Sequence, residues 1–80
     1  MPFSPDQEQF LTALGARIRS LRTEADMTQE RLAEQVGINT RTVQKIEAGK
    51  LNILVTTLAR IQAALRCEWD DLMGSRRRRG

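Results

Sequence analysis

The apolar residues of this chain recur at intervals of three and four, which is the spacing of one face of an α-helix. Four stretches show the pattern: Phe10, Leu14, Ile18 and Leu21; Leu32, Ala33 and Val36; Val43 and Ile46; and Leu54, Leu58, Ile61 and Leu65. No segment alternates between apolar and polar residues over the length of a strand. The pattern therefore predicts an all-α protein with a largely aliphatic core.

Residues that cap helices delimit the predicted helices. The sequence SPDQ at 4–7 forms a capping box with proline at the first helical position, and the helix that it starts should end near residue 24 or 25. Thr28 caps a second helix of about two turns. Gly37 stops that helix because glycine tolerates a positive φ.

The second half of the chain contains three further predicted helices. Asn39 caps a third helix, and Gly49 ends it. Residues 51–54 connect it to a fourth helix, whose apolar stripe starts at Leu54. A short fifth helix covers roughly 69–73 and closes the fold.

The last six residues account for the basic character of the chain. Four arginines at 76–79 contribute to thirteen basic residues, against ten acidic ones, and to a formal net charge of +3. Without those four, nine basic residues face ten acidic ones, so the rest of the chain is nearly neutral. We expect one folded domain over 1–74 and a disordered tail over 75–80. The tail adds nonspecific phosphate contacts, is a solvated end, or is foreign to the fold.

Length and composition narrow the classes of function. A chain of 80 residues buries only about 60% of its unfolded surface, so it needs an efficient core, a partner subunit or both. We expect no membrane span and no secretion signal. The single Cys67 fits a reducing cytoplasm, where it fills space as a small apolar group, with a redox sensor as the alternative. Without histidine or tyrosine the chain offers no nucleophile–base pair, so we predict no enzyme, no metal, no cofactor and no small-molecule ligand.

The stretch 29–48 has the residues of a tight corner between two helices. Ala33, in the second helix, is small enough to let the third helix approach closely, and Gly37 permits the turn between them. The residues on the outer face of the third helix near its N-terminus are polar, and none is acidic: Thr40, Arg41, Thr42, Gln44 and Lys45. A helix with such a face fits the major groove of DNA, where arginine and glutamine pair with base edges.

Five stretches carry a family resemblance: LGARIRSLR at 14–22, MTQERLA at 27–33, VGI at 36–38, VQKIEAG at 43–49 and TLARIQAAL at 57–65. Together they resemble the Cro and phage-repressor class of helix-turn-helix proteins over roughly 14–72. The resemblance implies a five-helix, lambda-repressor-like fold in which helices 2 and 3 form the helix-turn-helix. It also implies a sequence-specific regulator that places helix 39–48 in the major groove of double-stranded DNA.

The resemblance, with the polar face described above, predicts roles for individual residues. Four are expected to read bases or to lie beside those that do: Thr40, Arg41, Gln44 and Lys45. Five are expected to contact phosphates: Gln29, Asn39, Thr42, Lys50 and Asn52. Two match a structural ion pair that ties helix 1 to the end of helix 3: Arg22 and Glu47. A phosphate contact is the alternative for Lys45, and Thr42 alternatively completes the first helical turn.

One recognition helix offers only about four base-reading side chains, so tight binding needs a second copy on a half-site about one helical turn (~34 Å) away. The chain departs from the family before helix 4, where Ile53 and Leu54 replace a common proline and polar cap. This departure and the end of the chain predict the dimer interface: Leu51, Ile53, Val55, Trp69 and Met73. We expect Trp69 to cover helix 4 on one side and face the partner on the other.

Two interpretations of function follow from the resemblance. The first is a homodimeric regulator of a palindromic operator, such as a small repressor or a restriction–modification controller. The alternative is an antitoxin-type module that binds a toxin protein and regulates its own expression through DNA. An apolar patch away from helix 3 would favour the alternative.

Overall fold

The structure is a computed structural model that describes residues 3–74 of the 80-residue chain. The described residues form five helices: α1 (Pro5–Glu24), α2 (Gln29–Val36), α3 (Thr40–Glu47), α4 (Val55–Leu65) and α5 (Trp69–Met73). The all-α prediction is confirmed, and the helices begin and end close to the residues that the sequence indicates. The arginine tail lies outside the described residues.

The predicted caps form where the sequence places them. Gln7 N donates to Ser4 Oγ over 3.2 Å, and Ser4 N donates to Gln7 Oε1 over 2.9 Å, which completes the capping box. The Thr28 hydroxyl accepts from Arg31 N at 3.0 Å at the start of α2. These bonds satisfy backbone N–H groups that a helix N-terminus leaves without a partner, so they fix the first turns of both helices.

The helices enclose one aliphatic core. Helix α1 packs against α3 and α5, and α2 packs against α3 and α4. The core consists of Leu14, Ile18, Leu32, Ala33, Val36, Val43, Ile46, Ile61, Leu65 and Leu72. The predicted inward stripes of α2 and α3 are confirmed, because their apolar members are at most 3% exposed.

Two residues that the sequence places on buried stripes are exposed instead. Phe10 is 48% exposed, and Leu11 is buried in its place because the inward face of α1 runs through Leu11, Leu14 and Ile18 at spacings of three and four. Leu54 is 72% exposed because it precedes the first residue of α4, in an extended conformation to which helical spacing does not apply. Both predictions of burial are wrong.

The last helix is fastened to the first by an arginine. Arg17 Nε donates to the carbonyl oxygen of Leu72 over 2.5 Å, and this bond satisfies one of the carbonyls that the end of α5 leaves free. Leu72 itself is fully buried. The buried Leu72 side chain and this charge-assisted bond both hold α5 against the rest of the fold. Within the described residues, no helix combines the length and apolar character of a membrane span.

Gly15 marks the closest approach of α1 to α3. A Cβ atom at this position would lie 2.3 Å from the carbonyl oxygen of Ile46 and 2.7 Å from that of Glu47. Both are backbone atoms at the end of α3, so they cannot turn away. The absence of a side chain at Gly15 therefore sets the distance between the two helices.

We expect Gly15→Ala to lower the free energy of unfolding by about 1–3 kcal/mol, because the steric term outweighs the ~1 kcal/mol preference of helices for alanine. Thermal or urea denaturation of both proteins measures this. Ser20→Ala, at an exposed position of the same helix, should stay within about 0.5 kcal/mol of the parent. A Gly15→Ala protein more stable than the parent would show that α1 and α3 separate at little cost.

Candidate nucleic-acid interface

Helices α2 and α3 meet in the tight corner that the sequence indicates. Gly37 adopts a φ of 85°, in the left-handed region that favours glycine. The backbone N–H groups of Gly37 and Ile38 both donate to the carbonyl of Ala33, over 2.9 and 3.0 Å. Ala33 is 3% exposed, which fits its predicted role as the small residue between the helices.

The outer face of α3 is polar. Arg41, Gln44 and Lys45 are exposed, while Thr40 and Thr42 are half-buried. On the opposite side Val43 and Ile46 are 1% and 2% exposed. Helix α3 therefore presents two positive charges and an amide to solvent while its apolar side anchors it to the core.

A buried ion pair fastens the end of α3 to α1. Arg22 Nε donates to Glu47 Oε2 over 2.6 Å, and Arg22 Nη2 donates to Glu47 Oε1 over 3.1 Å. Arg22 Nη1 also donates to the carbonyl of Met27 over 2.7 Å. The two side chains are 10% and 4% exposed. This two-point pairing neutralises both charges at a place where little of either side chain is exposed to water.

Gln29, the first residue of α2, is bonded to the same carboxylate. Its Nε2 donates to Glu47 Oε1 over 3.0 Å, and its Oε1 lies 3.5 Å from Gln44 Nε2. Gln29 is half-buried, so the ion pair restricts its side chain before any DNA is bound. The sequence predicts Gln29 as a phosphate contact, and the contact with Gln44 has no signal in the sequence.

Asn39 and Thr42 form a cap of their own. Asn39 Oδ1 accepts from the Thr42 backbone N–H over 2.8 Å and from its hydroxyl over 2.9 Å. The Thr42 hydroxyl proton is thus used within the first turn of α3, as in the alternative role predicted for this residue. The Asn39 Nδ2 amide keeps both of its hydrogens for an acceptor outside the described residues.

The remaining predicted phosphate contacts lie after α3. Lys50 is exposed, and its backbone N–H donates to the carbonyl of Lys45 over 2.9 Å. Gly49, with a φ of 73°, turns the chain beside Thr12. Asn52 is exposed but lies on the wall of an apolar groove. Lys50 therefore lies shortly after the end of α3, and Asn52 lies farther along the connection to α4.

That apolar groove has a volume of about 420 Å³ and lies away from the polar face of α3. It is lined by Phe3, Asp6, Gln7, Phe10, Leu11, Leu14, Asn52, Ile53, Val55, Leu58 and Met73. None of these residues belongs to α2 or α3. The groove therefore runs between the first turns of α1, the connection before α4 and the end of α5.

The predicted interface residues divide into two groups. Leu51 and Ile53 are half-buried against the core. Val55, Trp69 and Met73 are 79%, 44% and 39% exposed. Phe10 and Leu54 are also exposed apolar residues that the sequence prediction does not include in this set, and the absence of a polar cap before α4 is a sequence signal for Leu54.

Cys67 packs against the core at the end of α4. Burial raises the pKa of its thiol, and the negative charge of Asp71 adds to the effect. The thiol therefore stays protonated at neutral pH, as expected for a space-filling group rather than a reactive one. Among residues 3–74 no three potential metal ligands cluster together.

Three features define a helix-turn-helix DNA-binding domain: a short two-helix corner, an outer helix whose exposed residues are polar and not acidic, and an apolar side of that helix packed on the core. Residues 18–72 match the protein family HTH_3, described as helix-turn-helix. The chain belongs to this helix-turn-helix family, which places it among DNA-binding transcription regulators and points to a protein that is not an enzyme.

Solved structures with similar folds are regulators of transcription or of restriction–modification systems. The controller protein C.AhdI from Aeromonas hydrophila is 32% identical, with a TM-score of 0.74 over 78% of this chain and 94% of that one. The clp gene regulator ClgR from C. glutamicum is 28% identical, with a TM-score of 0.77 over 80% and 82%. The hypothetical transcription factor NHTF from Neisseria is 27% identical, with a TM-score of 0.76 over 91% and 85%. No curated protein matches the chain.

Proposed function

We propose that the protein is a cytoplasmic, sequence-specific transcription regulator that binds a palindromic operator as a homodimer. The observation that carries the proposal is the outer face of α3, which is polar, cationic and held rigidly by the Arg22–Glu47 ion pair. A helix of this kind enters the major groove, where each base pair presents a distinct pattern of donors and acceptors.

The exposed positions of α3 suggest a division of contacts. We assign base contacts to Thr40, Arg41 and Lys45. Arg41 is exposed near the N-terminus of α3, the end from which such helices reach base edges. Its guanidinium suits two hydrogen bonds to guanine. Phosphate contacts are assigned to the residues around this face: Gln29, Asn39, Thr42, Lys50 and Asn52.

The homodimer is supported by exposed apolar surface away from the DNA-binding face. Val55 is 79% exposed and lines the apolar groove together with Phe10 and Met73, and the neighbouring Leu54 is 72% exposed. An exposed apolar pair at such a groove suits a two-fold interface, in which the pair of each copy packs into the groove of the other. The same contact would cover surface that a small monomer leaves in water.

Leu54 adds a local argument for this surface. It stands at the N-cap of α4, and no side chain there accepts a bond from the backbone. Serine, threonine, asparagine or aspartate at this position would stabilise the helix by about 0.5–2 kcal/mol relative to an apolar residue. An exposed leucine in place of a cap fits a residue whose contact lies on another molecule.

Selection of bound duplexes from a random pool, followed by footprinting, tests the proposal. We expect two inverted half-sites with centres about 34 Å apart, one helical turn, and protection on one side of the duplex. Sedimentation at the same concentrations should show a dimer of the 9.1 kDa chain. Recovery of no preferred sequence would contradict the proposal.

Two alanine variants separate base reading from phosphate contact. Arg41→Ala should relax the preference at one base pair of each half-site by about 1–3 kcal/mol. Gln29→Ala should weaken binding to every sequence by about tenfold or more, because it removes a donor to a charged oxygen. Titration of the selected operator and its single-base variants measures both. Arg19→Ala, an exposed arginine on α1, serves as the matched control and should change neither quantity. If Arg41→Ala lowered the affinity for all of these duplexes by the same factor, Arg41 would be assigned to a phosphate contact instead.

The second candidate function is an antitoxin-type module that binds a toxin protein and contacts DNA secondarily. The groove favours it, since an apolar surface away from α3 is where such a partner would bind. Sedimentation of the isolated protein separates the two candidates. A monomer that dimerises neither alone nor on DNA would favour the antitoxin, whereas a dimer with the groove covered would favour the regulator.

A further inference from the structure

A chain of hydrogen bonds runs from the buried ion pair to the surface of the recognition helix. Arg22 donates to Glu47, Gln29 Nε2 donates to Glu47 Oε1 over 3.0 Å, and Gln44 Nε2 lies 3.5 Å from Gln29 Oε1. Burial decreases along this series of hydrogen bonds: the Glu47 side chain is 4% exposed, Gln29 is half-buried, and Gln44 is exposed. These hydrogen bonds therefore connect a buried charge to the polar face of α3.

The carboxylate at the inner end fixes the direction of every bond. An ionised carboxylate only accepts hydrogen bonds, so Glu47 requires the nitrogen of Gln29 to face it. Gln29 Oε1 then points away from the carboxylate and is left as an acceptor. Gln44 must present its own nitrogen to that oxygen. One buried charge thus sets the orientation of two successive side-chain amides.

The same reasoning shows what the two amides have left to offer. Each of the two side-chain amide nitrogens carries two hydrogens and uses one of them in this series of hydrogen bonds. Among the described residues, Gln29 and Gln44 therefore each keep one amide hydrogen without an acceptor, and the two amides meet, 3.5 Å from Gln44 Nε2 to Gln29 Oε1, where α2 begins. Phosphate oxygens are acceptors only, and the N-terminal end of a helix favours negative charge.

We propose that Gln29 and Gln44 form a donor pair for one DNA phosphate, so that Gln44 orients Gln29 and contacts the DNA backbone instead of reading bases. The proposal rests on the proposed function and refines the sequence prediction, which groups Gln44 with the base contacts. Base reading on the exposed row of α3 then falls to Arg41 and Lys45, which lie one turn apart on a neighbouring face. The buried Glu47 carboxylate orients the side-chain amides of both glutamines.

Titration of Gln44 variants against the selected operator, its single-base variants and an unrelated duplex tests the proposal. Gln44→Ala should weaken binding to all of them by the same factor, about three- to tenfold, with base preference unchanged. Gln44→Glu should lose more than Gln44→Ala, because a carboxylate cannot donate to Gln29 and repels the phosphate. Gln35→Ala, an exposed glutamine of α2, is the matched control and should bind like the parent.

Two further measurements separate positioning from a general structural effect. The loss in the double variant Gln29→Ala/Gln44→Ala should be smaller than the product of the two single losses, because both residues serve one phosphate. In the free protein, Gln44→Ala should shift the side-chain amide resonances of Gln29, and Gln35→Ala should leave them in place. The melting temperature should not change, since Gln44 is exposed.

A relaxed preference at one base pair in each half-site of Gln44→Ala would overturn the proposal. So would unchanged affinity, or losses that multiply independently in the double variant. The proposed function can fail separately: a parent protein without sequence preference would refute specific regulation. The donor pair would then still stand or fall on whether Gln44→Ala weakens binding to unrelated duplexes.

Discussion

Replacing Glu47 with alanine is expected to lower the free energy of unfolding by about 3–5 kcal/mol, which is a large fraction of the stability of a small domain. The loss is large because Glu47→Ala leaves the charge of Arg22 buried without its carboxylate partner. Arg22 is 8% exposed and would keep its charge with only the carbonyl of Met27 to satisfy it. Urea or thermal denaturation measures the loss. DNA affinity should fall as well, because Gln29 loses its acceptor.

Two controls identify the cause of that loss. Glu34→Ala breaks the exposed ion pair with Arg31, whose side chains are 72% and 58% exposed, and should cost no more than about 1 kcal/mol. The double variant Arg22→Met/Glu47→Leu removes both buried charges and should recover most of the stability. Its affinity for DNA should remain below that of the parent. A Glu47→Ala protein with normal stability and no DNA binding would refute this order of causes.

Replacing Val55 with aspartate is expected to dissociate the proposed homodimer and to lower affinity for the selected operator by about 100-fold or more. Two recognition helices joined in one dimer bind with a gain of roughly 10²–10⁴ over either alone, and the variant loses this gain. Val55 is 79% exposed at the first position of α4, so a charge there is close to water in the monomer. Aspartate in the first turn of a helix is also electrostatically favourable. The fold should therefore be kept while the interface is lost.

Sedimentation and operator titration of the same samples check this result. Ala63→Asp places the same charge on an exposed position of α4 that does not line the groove, and it should leave both the dimer and the affinity unchanged. Circular dichroism should show the helical content of the parent in both variants. A Val55→Asp protein that still sediments as a dimer would place the interface elsewhere.

The helices were predictable because each of their ends has a local chemical cause. Thr28 and Gly37 bound α2, and Asn39 bounds α3, through contacts with residues only a few positions away. The apolar stripes of α2 and α3 were predictable for the same reason, since both helices are short and bury one face. The face of α1 was harder: its stripe begins at Leu11 rather than Phe10, because the packing of its first turns is set by residues far along the chain.

The predictions at the DNA-binding face divide along the same line. The polar surface of α3 follows from spacing alone, so Arg41 and Lys45 could be singled out without coordinates. The role proposed for Gln44 depends on a carboxylate at position 47, an arginine on α1 and an amide on α2 meeting at one point. No pattern along the chain encodes the direction of a hydrogen bond between such distant residues.

Capping and amphipathic spacing act over a few residues, so the helical class, the limits of the helices and the polarity of the recognition helix could be inferred without coordinates. The close approach of α1 and α3 at Gly15, the position of the buried ion pair and the identity of the exposed apolar residues result from the packing of the helices. These features depend on which surfaces meet in three dimensions, and helical spacing does not specify the partner of a surface.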